Sequence, residues 1–227
     1  MAKIFIPDFF VIETLGRLDG AANFLEVVDK AISELEWKER QSLKQSAEEE
    51  KWDDADYEVE RQVLDWKFGE YVRRLAAYSG IILLHSIVET QLMAYAERVG
   101  RQRGETFRVK HVEGRYLEQA ALYLKRLMSL DVTQDPTWQC LRDLRALRNA
   151  VVHRGGKRGK GHEQQRAIDG LIQEYPGKVS LLNHTIYGEE IWISMHLCRE
   201  FALEIEGFFK RLFKAAGLRE TGGQHEI

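Results

Sequence analysis

The chain has 227 residues, of which 44% are hydrophobic and 30% charged, with a formal net charge of -3. These proportions are globular and exclude wholesale disorder, while the negative balance argues against a protein that coats nucleic acid by neutralising many phosphates. The two cysteines, Cys140 and Cys198, have no second cysteine or histidine at a metal-finger spacing, so neither a disulfide framework nor a zinc site is indicated, and no metal or cofactor is expected.

The opening residues, Met1-Ala2-Lys3-Ile4-Phe5-Ile6-Pro7-Asp8, form an apolar patch too short for a secretory signal. The longest apolar run, Ile81-Ile82-Leu83-Leu84, stops at His85, well short of a bilayer span. The expectation is a soluble, cytoplasmic, non-membrane protein. Only three prolines occur, Pro7, Pro136 and Pro176, leaving long intervals for uninterrupted helices.

A first helix is read from Leu18 to about Lys51, with Phe24, Val27, Val28, Ala31, Ile32 and Leu35 at a helical period. After Trp37 the apolar stripe thins, which suggests a solvated arm or a helix that needs a partner. Asp53-Asp54-Ala55-Asp56 offers N-caps for a second helix, from about Asp56 to Arg103. From Phe68 onward that helix is apolar on most sides and should be central, with a break or a close helix crossing at Gly69 or Gly80. A third helix spans about Gly114 to Leu130. Asp135-Pro136 opens a fourth, which carries Leu141, Leu144, Leu147 and Val151 to a stop at Gly155-Gly156.

Residues 154 to 163 are rich in glycine and positive charge and read as a mobile basic loop, ordered only by a ligand. A short helix at 164 to 175 follows, then a small β-hairpin between Lys178 and Tyr187, and a closing amphipathic helix from Glu189 to Ala216. The fold class is therefore all-α, a helical bundle over 68–218 with an N-terminal helical arm over 1–67, one small hairpin and a flexible tail over 219–227. Charge is unevenly spread. Between Glu34 and Glu60 there are eleven acidic and four basic residues, and between Arg142 and Arg166 eight basic and two acidic, so a polyanion should meet the second region and a protein partner the first.

On the fourth helix, rotation of about 100° per residue places Arg142, Asn149 and His153 within about 20° of one line, opposite the apolar stripe. Ala146 and Ala150 beside that line would permit the close approach of another helix, as at a twofold interface. Arg148 falls about 140° from His153, so the two meet only if the arginine reaches round the helix or the helix end unwinds.

The segment Arg148-Asn149-Ala150-Val151-Val152-His153, placed before a glycine stop at the end of an apolar helix, resembles the Arg-x4-6-His motif of the HEPN superfamily. The likeness covers about residues 68 to 215 in helix order, including Leu84-His85-Ser86-Ile87-Val88-Glu89 and the phenylalanine-rich last helix. It implies a four- or five-helix bundle that forms a homodimer and cuts RNA without metal, in some members as a toxin held by an antitoxin or as an anti-phage effector. In that reading His153 is the general base or acid at the ribose 2′-hydroxyl, since imidazole titrates near neutrality. Arg148 holds the scissile phosphate, and Asn149 orients the ring or the RNA. Arg142, Lys157, Arg158 and Lys160 would gather RNA backbone, and Glu89 with His85 would support the site, Glu89 by pairing with Arg148. The alternative is a non-catalytic HEPN-like module that dimerises or binds a nucleotide or protein.

Overall fold

The computed structural model describes residues 8–159, 161–184 and 188–218. It is mostly helical with one two-stranded antiparallel hairpin, as the all-α reading requires. The helices are α1 (Phe9–Glu50), α2 (Asp54–Trp66), α3 (Arg73–Gln102), α4 (Tyr116–Met128), α5 (Trp138–Arg154), α6 (His162–Glu174) and α7 (Met195–Ala215). A π-helical turn, Lys67–Val72, joins α2 to α3. The strands are β1 (Val179–His184) and β2 (Gly188–Ile193), in a register that pairs Val179 with Ile193 and Leu181 with Ile191.

Two compact units are built from these elements, and α1, α3, α5 and α7 each supply residues to both. Of the described residues, the first comprises 8–21, 83–145 and 201–218. Its core is aromatic: Tyr95 stacks on Phe10 at 6.2 Å and meets Phe213 edge-on at 5.6 Å, and Phe209 and Phe208 continue the row. Such pairs add to the burial free energy of the rings themselves. One polar pair sits within this core, the Thr14 hydroxyl donating to Gln91 Oε1 at 2.8 Å, which satisfies two groups that would otherwise be costly to bury.

The second unit comprises 22–82 and 146–200. Leu25, Phe68, Ile81, Leu147, Ile168, Val179, Ile191, Ile193 and Leu197 are buried in it. Asp53 caps α2, its carboxylate accepting from the Asp56 amide at 2.9 Å. Of the two glycines expected to interrupt the long apolar helix, Gly69 lies in the wide π turn, where its carbonyl accepts from Trp192 Nε1 at 3.3 Å. Gly80 marks a close crossing, since a Cβ there would lie 2.7 Å from Leu25 and 3.3 Å from Cys198.

From Ser33 to Lys67 no residue is buried. This stretch is an arm of two helices held by charge: Glu36 with Arg40 and Arg73 at 2.7 and 2.6 Å, Arg40 with Asp65 at 2.5 Å, and Glu39 with Lys67 at 2.6 Å. Before this stretch, α1 contributes buried residues from Val11 through Ile32. The tail expected over 219–227 lies outside the described residues. The continuous helical stretch Asp54–Gln102 does hold an 18-residue window apolar enough to cross a bilayer, which the short unbroken runs had not suggested, and half of that window is buried inside the protein.

Candidate nucleic-acid site at the end of α5

The second unit places the sequence motif on the last turns of α5. Leu147, Ala150 and Val151 face inward and are buried, while Arg148 and Asn149 are half-buried and His153 is exposed. The helix stops where its glycines predict. Gly155 and Gly156 both adopt positive φ, +62° and +83°, and the Gly156 amide reaches back to the Ala150 carbonyl at 3.0 Å, closing a Schellman-type cap. Gly156 is also held by space: a Cβ would lie 2.1 Å from the Tyr78 hydroxyl.

Arg148 and His153 do converge. Nη1 of Arg148 lies 3.1 Å from His153 Nε2 and 3.1 Å from Asn149 Oδ1. The helix remains intact through Arg154, so the arginine side chain reaches round the flank and the backbone does not unwind. A guanidinium has no acceptor, so in this contact Nε2 must be the unprotonated nitrogen, with the ring proton on Nδ1. That is the form able to take a proton from a hydroxyl.

The charge environment separates Arg148 from most arginines of its unit. Arg40, Arg61, Arg73, Arg74 and Arg158 are each paired to a carboxylate, whereas among the described residues none pairs with Arg148. Its charge therefore remains available to an anion. Arg154 shares this property and was not singled out from sequence. It donates to the Arg158 carbonyl at 2.9 Å and to Gln164 Oε1 at 3.2 Å, and burial alone lowers its pKa from the usual arginine value. Its position in the last helical turn, directly after His153, was the available signal.

Residues 156–158 lie along β2: the Ile191 amide donates to the Gly156 carbonyl at 2.8 Å, and the Arg158 amide to Glu189 at 3.2 Å. The Arg158 guanidinium bonds Asp169 at 2.6 Å and Glu189 at 2.8 Å. Two carboxylates thus engage the residue expected to meet RNA. Lys157 is exposed, and Lys160 lies outside the described residues. Arg142 is exposed on α5 within the first unit, and His85 with Glu89 belongs to that unit too, their side chains 3.4 Å apart one turn along α3.

Cys140 and Cys198 offer no nucleophile at neutral pH, because burial pushes both thiols up to about 12. Among the described residues no three His, Cys, Asp or Glu side chains gather as a metal-holding group. Compared with protein-family models, curated proteins and solved structures, the chain matches none of them.

Proposed function

We propose that the chain is a metal-independent endoribonuclease of HEPN type, cleaving RNA by attack of a ribose 2′-hydroxyl on the adjacent phosphate. The observation that carries this reading is the triple Arg148, Asn149 and His153: a cation with no carboxylate partner among the described residues, held 3.1 Å from an imidazole nitrogen at an accessible helix end. An arriving phosphate competes for the guanidinium with a stronger, charge-assisted bond. Arg148 then swings its donors to the phosphate oxygens and frees Nε2 of His153. That nitrogen takes the 2′-hydroxyl proton as O2′ bonds to phosphorus, and the bond to the 5′-oxygen breaks. The leaving oxygen needs a proton in turn, which a second His153 from a homodimer would give. Asn149 stays beside the guanidinium and fixes its approach, and Lys157 and Arg154 add positive charge near the helix end. A toxin or anti-phage effector, restrained by a protein partner, is the context that the resemblance to HEPN proteins suggests, and the cytoplasm the compartment.

The test is cleavage of end-labelled RNA in excess chelator by the wild-type protein, Arg148→Ala and His153→Ala. Each substitution should lower the rate by about 100-fold or more while leaving the helical circular dichroism unchanged. Cleavage that survives both would remove the reading. The second reading, a non-catalytic binding module, is favoured by a different observation, the unburied apolar residues of the arm.

A further inference from the structure

The arm carries an apolar face that no part of the described chain covers. On α2, Val59, Val63 and Trp66 lie within about 60° of one line and are 58%, 50% and 49% exposed. In a regular helix the row would pass next to Glu70 and Arg74. The wide π turn shifts it by one residue, so that it continues through Tyr71 and Leu75, both also exposed. The Trp66 and Tyr71 rings meet at 4.7 Å and bridge the turn. The row from Val59 to Leu75 is about 24 Å long at helical rise, the length over which a partner helix of four turns lays down its anchors. Exposing large side chains in such a line is costly unless they have an occupant.

The charges beside the row select that occupant. Between Asp54 and Glu70 the chain has six carboxylates and two cations, and both cations are already bound within the arm, Arg61 to Glu58 at 2.6 Å and Lys67 to Glu39 at 2.6 Å. Among the described residues no cation pairs with Asp56 or Glu60, which border the row. A second copy of the same face would set carboxylates against carboxylates, a juxtaposition that suppresses association. An anionic lipid surface would be repelled likewise.

We propose that the outward face of α2 and the π turn docks a cationic amphipathic helix of another protein. Its apolar residues cover Val59, Val63, Trp66 and Tyr71, and its lysines or arginines meet Asp56 and Glu60. This does not rest on the ribonuclease reading.

The experiment uses the full chain and two labelled synthetic helices of about 18 residues with the same leucine stripe, flanked in one by lysine and in the other by glutamate. Binding is followed by fluorescence anisotropy at low and high salt. The lysine helix should bind, weaken with salt, and lose affinity about tenfold against Val63→Glu and severalfold against Glu60→Lys, two changes at exposed positions. The glutamate helix should not bind. Equal binding of both helices, or binding indifferent to Val63→Glu and Glu60→Lys, overturns the proposal. So does a wild-type dimer in sedimentation that Val63→Glu dissolves, because the occupant would then be a second copy.

Discussion

Arg148 and Arg158 are ten residues apart and carry the same charge, yet their surroundings assign them different work. Arg158 spends its guanidinium on Asp169 and Glu189 and fastens the loop to the hairpin and to α6. Among the described residues, the Arg148 guanidinium bonds an amide oxygen and an imidazole nitrogen, neither of which neutralises it. A sequence shows the charge of each arginine but not its counter-ion, which here comes from residues 11 and 31 positions away. A structural ion pair elsewhere gives a pH prediction. Asp135, at the start of α5, accepts two bonds from Arg211 of α7, at 2.8 and 2.7 Å, and these hold its carboxyl below the usual aspartate value. A carboxyl with a lowered folded pKa stabilises above its unfolded value, near 3.9, and the contribution is lost as pH falls through the folded pKa. Since Arg211 is about half exposed, Asp135→Asn should cost only about 1 kcal/mol at pH 7. In urea titrations the gap between variant and wild type should narrow toward pH 3, and a gap that stays constant with pH would show that the pair contributes through packing alone.

Among the elements, the helix ends follow the sequence reading unevenly: α5 stops at its glycines, whereas α1 starts at Phe9 and not at Leu18, and two glycines show why position decides. Gly20 sits in α1 with nothing within 4 Å of an added Cβ, so Gly20→Ala should raise stability by about 0.5 to 1 kcal/mol. Gly156 combines positive φ with the Tyr78 hydroxyl in the space of a Cβ, so Gly156→Ala should lower stability by about 2 kcal/mol or more. Thermal melts of the two variants should move in opposite directions, and a neutral Gly156→Ala would mean that Tyr78 yields freely. The long apolar helix, the charged arm and the glycine stop after α5 were legible because each depends on local periodicity or on one residue's backbone freedom. The hairpin was legible only in outline. Glu189 and Glu190 suggested a helix start, whereas they begin β2, in which Ile191 and Ile193 are buried on alternate positions. Pairing with β1 and with residues 156–158 outweighs the helix propensity of two glutamates, and nothing local records that pairing. The meeting of Arg148 with His153 was half legible: the spacing pointed to a pair, the helical wheel set them about 140° apart, and the reach of a long side chain resolved the difference.

At the scale of the whole molecule, two features lie in the second unit and make separate demands. The α5 end concentrates arginines, Arg148 and Arg154, that have no carboxylate partner among the described residues, which suits a polyanion, and the arm concentrates carboxylates around an apolar row, which suits a cationic protein. Net charge of -3 conceals both. A chain organised in this way would bind RNA through few phosphate contacts, with correspondingly modest salt dependence, and could be restrained by a protein bound at the arm. The proposed reaction requires a 2′-hydroxyl as nucleophile and His153 as its base. The most direct measurement is to incubate the purified protein, in excess chelator, with a labelled RNA and its 2′-O-methyl counterpart, and to identify the product ends. The RNA should give fragments ending in a 2′,3′-cyclic phosphate, and the methylated strand none. Cleavage of both strands, or no cleavage of cellular RNA of any kind, would contradict the proposed reaction.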